Sequence, residues 1–178
     1  MNRIHFLGRE QRFREWTVEF AGITQGQAVL DVGCGTGNLT MVAKVRAGAD
    51  GEVHGFDAAP EMVREAERKA AERGLDIHYQ VGLIEEIPLP DGAFDVVLSS
   101  LMLHHIPREL KRRGIAEIAR VLKPGGRFVA VDVDPPLIGN LRTVLEAMEA
   151  NGFSEPNRGR TGFRTMLIPI HYLSGTAR

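Results

Sequence analysis

Three glycines at alternate positions follow a short apolar run. The run is Val29–Val32, the glycines are Gly33, Gly35 and Gly37, and a helical pattern begins near Asn38. Glycine allows a sharp turn at a strand end and a close approach of the backbone to a ligand, which the amides of the helix start then face. A tight turn without a ligand needs only one glycine. The spacing therefore predicts a site for a nucleotide-like ligand.

The spacing of these glycines also narrows the class of ligand. In the dinucleotide fingerprint G-x-G-x-x-G the third glycine comes one residue later than it does here, and Asn38 stands where that pattern has Gly or Ala. NAD is therefore a less favoured ligand for this turn than another nucleotide-like molecule. No Lys-Ser or Lys-Thr pair follows the glycines, which excludes a Walker P-loop.

A carboxylate follows the next apolar run, about twenty residues beyond the glycines. Asp57 comes directly after residues 52–56, where it can accept hydrogen bonds from both hydroxyls of a ribose that lies across the sheet edge. The alternative role is to cap the helix whose first turn contains Pro60. Asp57 is one or two positions too early for that role, so ribose binding is favoured.

Strand and helix patterns alternate along most of the chain. The predicted strands are 28–32, 52–56, 77–81, 94–98 and 127–131. Apolar residues at spacings of three and four predict helices between them, and a later helix closes at Asn151-Gly152. This alternation is typical of an α/β protein with a parallel sheet covered by helices on both faces.

The composition is that of one ordinary globular domain. The chain has 178 residues, 43% of them hydrophobic, and its 22 Lys and Arg nearly balance 23 Asp and Glu. A formal charge of -1 gives no general attraction to nucleic acid, and no apolar run is long enough for membrane insertion. We expect a single domain over residues 1–178 in the cytoplasm. The lone Cys34 excludes an intramolecular disulfide.

Five segments, taken in order, resemble the class I S-adenosylmethionine-dependent methyltransferases, particularly the branch of the ubiquinone and menaquinone C-methyltransferases. The resemblance runs from about Gln25 to Asp132. It is carried by Val29–Gly37, Gly55–Met62, Ile87–Val97, Leu103–Ile106 and Leu122–Arg127. It implies S-adenosylmethionine as cofactor. It also implies a Rossmann-like doubly wound sheet of seven strands, mostly parallel, with an antiparallel last strand. Lys123–Gly126 is expected to form the turn into the fifth strand.

The resemblance also implies the residues that contact S-adenosylmethionine. Asp57 and Ala58 would hold its ribose and adenine, and backbone after the fourth strand would lie near its amino group and methyl. The whole expected set is Asp31, Gly33, Cys34, Gly35, Gly37, Asp57, Ala58, Leu83, Ile84, Ser99 and Ser100. Within it, Asp31 and the glycines would surround the methionine end, while Cys34 is expected to fill space.

Two segments depart from the family pattern. After the third strand the family commonly has Gly-Asp-Ala, whose Asp accepts a hydrogen bond from the adenine amino group, but this chain has Gly82-Leu83-Ile84. Either Glu85 or the backbone replaces that acceptor, or adenine is held by apolar contacts alone. The second departure is residues 154–158, where a sixth strand is expected but Ser-Glu-Pro-Asn-Arg is poor strand material.

Two adjacent histidines follow the fourth strand and are the candidates for a general base. His104 or His105 could take a proton from a hydroxyl or an acidic carbon of the acceptor, since imidazole titrates near pH ~6.5. The alternative is that the pair begins the next helix and packs there. The other histidines, at positions 5, 54, 78 and 171, share no spacing that suggests a metal, so none is predicted.

The predicted function is methyl transfer from S-adenosylmethionine to a small-molecule acceptor. Residues 1–25 are expected to form a helical lid through Phe6, Phe13 and Trp16, unless the partner subunit of a homodimer closes the site. A cofactor-binding or regulatory protein of the same fold is the alternative from another class. An NAD-dependent oxidoreductase ranks third.

Overall fold

The computed structural model describes residues 8–134, 140–165 and 168–178. The predicted Phe6 contact and the connection 135–139 lie outside these residues. The elements in chain order are helix α1 (Glu10–Ala21), strand β1 (Val29–Val32), α2 (Asn38–Ala47), β2 (Val53–Asp57), α3 (Pro60–Glu72), β3 (His78–Val81), β4 (Phe94–Ser100), a 3-10 turn (Leu103–His105), α4 (Arg108–Val121), β5 (Leu122–Val133), α5 (Asn140–Ala150), β6 (Ser154–Thr165) and β7 (Ile168–Thr176).

The strands form one sheet in the order β3-β2-β1-β4-β5-β7-β6. The pairs β1–β2, β1–β4, β2–β3 and β4–β5 are parallel, whereas β7 runs antiparallel to both neighbours. The chain proceeds outward from β1 to β3 and then returns to the other side of β1 as β4. This reversal leaves a crevice beyond the carboxyl ends of β1 and β4, where open α/β sheets bind ligands. The predicted Rossmann-like doubly wound sheet with an antiparallel last strand is confirmed.

Apolar side chains cover both faces of the sheet. All four residues of β1 are buried: Leu30 and Val32 pack in a cluster with residues of α4 and α5, and Val29 packs in a second cluster with residues of α1 and α2. The alternation follows from the two-residue period of a strand, which sends Asp31 to the α2 face. The helices therefore hold β1, and with it the glycine turn, from both sides.

The C-terminal hairpin differs from the sequence expectation. Residues 154–158, predicted to be poor strand material, begin strand β6, which pairs with β7 at the sheet edge. The register shifts between Ser154 and Asn157, and Pro156 lies in that irregular stretch, where no ladder donor is needed. An exposed edge strand is held by its backbone pairing, so its side chains need not follow the usual strand composition.

Pro169 of β7 lies just beyond the last β5–β7 pair, between Val133 and Ile170. The expectation for the turn before the fifth strand changes. Lys123–Gly126 lies inside β5 rather than before it. The pairing of β5 with β4 passes from Leu122 directly to Arg127, and the four residues between them form a bulge.

Helix α1 forms the amphipathic N-terminal element that the sequence predicts. Phe13 and Val18 are each 3% exposed, and Phe13 packs with Val131, Val133 and Ile170 near the carboxyl end of β5. Trp16 stacks on Phe20 with ring centroids 5.0 Å apart. Helix α1 is thus part of the core, and its use as a lid stays a prediction. No helix among the described residues is long and apolar enough to cross a bilayer.

Candidate active site

A cleft of about 300 Å³ opens at the carboxyl edge of the sheet, at the crevice beside β1. Six of the residues predicted for cofactor binding or catalysis line it: Gly33, Asp57, Ala58, Leu83, Ile84 and His105. They come from four separate parts of the chain, which the parallel register brings to one edge. The topology therefore assembles a ligand-sized cavity where the motifs place a ligand.

The glycine turn closes tightly onto the end of β2. The N–H groups of Gly33 and Cys34 both donate to the Phe56 carbonyl, at 2.9 and 3.0 Å. Gly33 has a φ of 72°, and a Cβ there would collide with the side chain of Met102. Glycine is thus required for both its backbone conformation and its lack of a side chain. The backbone of the glycine turn therefore forms part of the cleft wall at Gly33.

Asp57 connects the glycine turn to helix α3. One oxygen accepts from the Gly35 N–H at 2.9 Å, and the other accepts from the Ala59 N–H at 3.0 Å. Ala59 is the N-cap residue of α3, so Asp57 lies too early to be that cap, as the sequence indicates. The carboxylate is half-buried and lines the cleft, with lone pairs left for further donors.

Asp31 lies beneath the glycine turn and is 1% exposed. Its Oδ2 accepts a 2.6 Å hydrogen bond from the Thr40 hydroxyl of α2, while its Oδ1 has no partner among the described residues. Burial, helped by the negative charge of Asp57 and opposed by the Thr40 hydrogen bond, raises the pKa of Asp31 to about 7. The site therefore holds a carboxyl group that titrates near neutral pH and has an open acceptor.

The segment after β4 supplies the other wall, whereas the predicted Ser99 and Ser100 at the end of β4 do not line the cleft. The Ser99 hydroxyl is buried without a partner among the described residues, and Ser100 is partly buried. Leu101 then takes a φ of 54°, unusual for a residue with a side chain, and its N–H donates to the Val131 carbonyl at 2.8 Å. This bend directs the chain so that Met102 reaches the cleft beside Gly33. A strained residue at a site edge is a common feature of ligand clamps.

Cys34 and Gly37 do not line the cleft. The Cys34 side chain is buried, and burial together with Asp31 and Asp57 raises the pKa of its thiol, which keeps it protonated. Gly37 is the N-cap residue of α2, and a Cβ there would meet Tyr79 and Ala66. Both residues shape the turn from behind.

The far end of the cleft is where the resemblance expects adenine. Leu83 is 51% exposed and pairs with Glu86 in an isolated bridge, and Ile84 is buried beside it. Glu85 also lines the cleft. The structure thus places an apolar surface and a neighbouring carboxylate at this end, and Glu85 is the available side-chain acceptor in place of the missing Asp.

His104 and Asp132 form a hydrogen-bonded pair. The His104 Nδ1 lies 2.6 Å from Asp132 Oδ1, and the His104 backbone N–H donates to Oδ2 at 3.0 Å. Asp132 is 1% exposed, whereas the His104 side chain is 20% exposed. Because a carboxylate can only accept, Nδ1 carries the proton and Nε2 of the neutral ring is left as an acceptor. This arrangement suits a general base.

His105 occupies a different place from its neighbour. Its ring stacks at a tilt on that of His104, with centroids 3.8 Å apart, and it lines the cleft while His104 does not. Burial and the neighbouring His104 lower the pKa of His105, against the opposite effect of Asp132. Burial therefore disfavours the charged form of His105 at the cleft wall, and the two histidines have distinct surroundings.

Several site residues have no counterpart in the sequence prediction. Met102, Ile106, Pro107 and Leu110 line the cleft, and Asp132 orients His104. Ile106 lies within the segment Leu103–Ile106 that carries the family resemblance, which was a usable signal. Asp132 also had a signal in the sequence, since it is a carboxylate directly after the predicted strand 127–131. Met102 had none, because its position depends on the bend at Leu101.

Comparison with known proteins places this fold and cleft among the Rossmann-like methyltransferases. The methyltransferase domain family matches residues 29–126, which is more than half of the chain. The chain therefore belongs to the methyltransferase domain family, and the resemblance seen in its motifs is confirmed.

Two curated relatives support the same placement. The demethylmenaquinone methyltransferase of Thermus thermophilus is 38% identical over 136 residues, which cover 76% of this chain and 60% of that protein. The ubiquinone/menaquinone biosynthesis C-methyltransferase UbiE of Idiomarina loihiensis is 31% identical over 153 residues, which cover 85% of this chain and 60% of that protein. The chain thus spans about 60% of the length of these relatives.

Solved structures share the fold. A SAM-dependent methyltransferase from Aquifex aeolicus superposes with a TM-score of 0.77 at 23% identity, covering 98% of this chain and 97% of that one. The [4+2]-cyclase SpnF superposes with a TM-score of 0.81 at 22% identity, covering 94% of this chain and 81% of that one. One architecture therefore underlies proteins with different named reactions.

The raised pKa of Asp31 gives a testable dependence of stability on pH. Between its unfolded pKa of about 3.9 and its folded pKa of about 7, the folded state keeps a proton that the unfolded state has lost. This group therefore makes the free energy of unfolding fall as pH rises through that window and level off above it. Asp31→Asn, which resembles the protonated acid, should remove this part of the slope.

The measurement is urea unfolding of both proteins from about pH 5 to about pH 8. Asp50→Asn, at an exposed position, is the matched control and should keep the wild-type slope. Parallel curves for the wild type and Asp31→Asn would contradict the assignment.

Proposed function

We propose that the protein transfers a methyl group from S-adenosylmethionine to a small-molecule acceptor. The observation that carries the proposal is the joining of the glycine turn and Asp57 in one cleft at the crevice of a methyltransferase-type sheet. Membership of the methyltransferase domain family and the names of the two relatives support it.

The groups around the cleft fit the chemistry of S-adenosylmethionine. Asp57 offers acceptor lone pairs to ribose hydroxyls, and the apolar surface at Leu83 and Ile84 suits the face of adenine. Asp31 of β1 and Ser99 of the neighbouring β4 do not line the cleft, but each has a buried oxygen without a partner among the described residues, and these oxygens are the acceptors proposed for the cationic amino group. Each part of the cofactor thus has a complementary group on this chain.

When bound, S-adenosylmethionine supplies a methyl group on a sulfonium, which is already a reactive electrophile with a neutral thioether as leaving group. The main tasks of the protein are then to align the acceptor and to exclude water. Met102, Ile106 and Leu110 give the cleft an apolar wall suited to both tasks.

His104 or His105 is the proposed general base: His105 lines the cleft, and His104 has Asp132 as its positioning residue. The hydrogen bond from Nδ1 to Asp132 fixes the tautomer, so Nε2 can take the proton that a hydroxyl or acidic carbon of the acceptor loses as it gains the methyl. Asp132 also accepts from the Val133 N–H at 2.7 Å. The buried carboxylate is thereby held in place to stabilise the imidazolium that forms. His105 would face the reactants from the cleft wall.

The names of the relatives support a choice of acceptor to test. One is named for demethylmenaquinone and the other for ubiquinone and menaquinone biosynthesis. The reduced, hydroquinone form of such a quinone is therefore the first acceptor to test: loss of a phenolic proton to a histidine base would make the ring carbon nucleophilic, and the ring proton would leave after that carbon gains the methyl. The expected cytoplasmic location, homodimer and absence of nucleic-acid partners stay predictions.

A cofactor-binding protein without methyl transfer is the second candidate. Its support is the SpnF structure, in which a protein named as a cyclase has this fold, together with Leu83 in place of the usual adenine acceptor. An NAD-dependent oxidoreductase is disfavoured by the glycine spacing and by the family match.

Loss of the Asp57 carboxylate should weaken cofactor binding. Asp57→Ala removes the charge-assisted bonds to ribose, and we expect S-adenosylhomocysteine to bind about 1.5–3 kcal/mol more weakly, roughly 10- to 150-fold. Isothermal calorimetry measures the change, with Asp50→Ala as the control at an exposed aspartate. Unchanged affinity in a variant that still unfolds cooperatively would refute the assignment.

Loss of the histidine base should slow turnover with little effect on cofactor affinity. We expect His104→Gln to lower kcat by about 100-fold or more and to remove a titration from the pH–rate profile. Asp132→Asn should lower kcat and alter the pH–rate profile without changing S-adenosylhomocysteine affinity, since the carboxylate acts through the His104 ring. His105→Gln is the comparison at the neighbouring ring. A rate that survives both histidine substitutions would assign the pair to packing.

Methyl transfer itself is tested with isotope-labelled S-adenosylmethionine and a cell extract, followed by identification of the labelled products. Demethylmenaquinone in its reduced, hydroquinone form is added in a parallel reaction. We expect label in a small aromatic or quinone product. Cofactor binding by calorimetry without any labelled product would favour the second candidate instead.

A further inference from the structure

Two histidines and a glutamate meet at the amino edge of the sheet, at the opposite end of the strands from the cleft. His54 of β2 and His78 of β3 are register partners on neighbouring strands, and Glu52 precedes β2. Each offers a ligand atom, and these three atoms all lie within 4.8 Å of one another. The sequence did not reveal this group, because the two histidines are 24 positions apart and only strand pairing brings them together.

One member of this group is fixed and two can adjust. The His54 ring packs edge-on against buried Phe94, with centroids 5.3 Å apart, and its Nε2 lies 2.7 Å from Glu52 Oε1. The His54 side chain is 16% exposed and that of Glu52 is 64% exposed. His78 is also exposed, and its ring centroid lies 4.8 Å from that of His54. The group therefore consists of one imidazole held by packing and two donors on exposed side chains.

The donor set suits a borderline divalent cation. Imidazole nitrogen and carboxylate oxygen are common ligands of Zn²⁺ at about 2.0–2.2 Å, which places tetrahedral donors about 3.4 Å apart. The separation of 2.7 Å between His54 Nε2 and Glu52 Oε1 is below this value, and no separation in the group exceeds 4.8 Å, so rotation of the Glu52 and His78 side chains can adjust the donors to it. Zn²⁺ has no strong geometric preference of its own, and water can complete the coordination.

We propose that Glu52, His54 and His78 bind one Zn²⁺ ion. The ion would link β2 to β3, which is the edge strand of the sheet and has exposed residues at both ends. β3 continues into Gly82–Glu85 at the cleft, so the ion would fasten the strand that carries one wall of the site. The ion would lie about 10 Å along β2 from Asp57 and take no part in the proposed transfer.

Calorimetric titration of tag-free protein with Zn²⁺ tests the proposal. We expect one ion per chain, with at least tenfold weaker binding in His78→Gln and in Glu52→Gln. Both substitutions are at exposed positions and should leave the fold intact. His171→Gln, at a histidine of the distant strand β7, is the matched control and should bind like the wild type. Binding that is absent from the wild type, or unchanged in His78→Gln, overturns the proposal.

Thermal unfolding supplies a second measurement. Zn²⁺ should raise the midpoint temperature of the wild type by a few degrees and leave that of His78→Gln unchanged. S-adenosylhomocysteine affinity is measured on the same variant and should equal that of the wild type. Failure of the metal site and failure of the proposed cofactor site are therefore distinguishable. A Zn²⁺ shift that is equal in both proteins contradicts the assignment to these residues.

Discussion

The parallel register of β1 with its two neighbours is the constraint on which the site depends. Val32 pairs with Phe56 on one side and with Ser99 on the other, so the three strands end side by side. Everything that follows these residues is then brought to one edge: the glycine turn after β1, Asp57 at the end of β2, and the bend at Leu101 after β4. A shift of one residue in either pairing would turn the side chains of the displaced strand to the opposite face and separate these groups.

Some parts of the site were predictable from the sequence because their signals are local. The glycine turn, Asp57 and the helix start at Pro60 are local signals, each encoded within a few residues, and the structure has them where they were expected. The carboxyl end of β5 was equally predictable, but the partner of Asp132 was not. His104 is 28 residues away, and their contact depends on how the segment after β4 bends, for which Leu101 gives no signal in its residue type.

Edge strands show the complementary difficulty. β3 and β6 are the two outer strands, and neither is covered by neighbours on both sides. Their side chains are under weaker selection for burial, so β6 could begin with Ser154-Glu-Pro, and His78 could occupy β3. A pattern-based prediction depends on burial, so it found β1 and β4 and missed the start of the edge strand β6, although it also found the edge strand β3 at 77–81. The cross-strand meeting of His54 and His78 has the same origin, because register is a property of the sheet.

The charges of Asp57 and Asp31 also bear on the proposed function. The charge of Asp57 is compensated by two backbone N–H groups, whereas Asp31 has one hydroxyl donor and an open oxygen in a buried setting. Burial and the nearby Asp57 both favour the neutral acid there. A cation that reached the open oxygen would reverse this balance, since an opposite charge within a few ångströms favours the ionised carboxylate. Under the proposed function, the amino group of S-adenosylmethionine is that cation. The site would then discriminate for a positively charged ligand because one oxygen of its buried acid lacks a partner among the described residues until the ligand arrives.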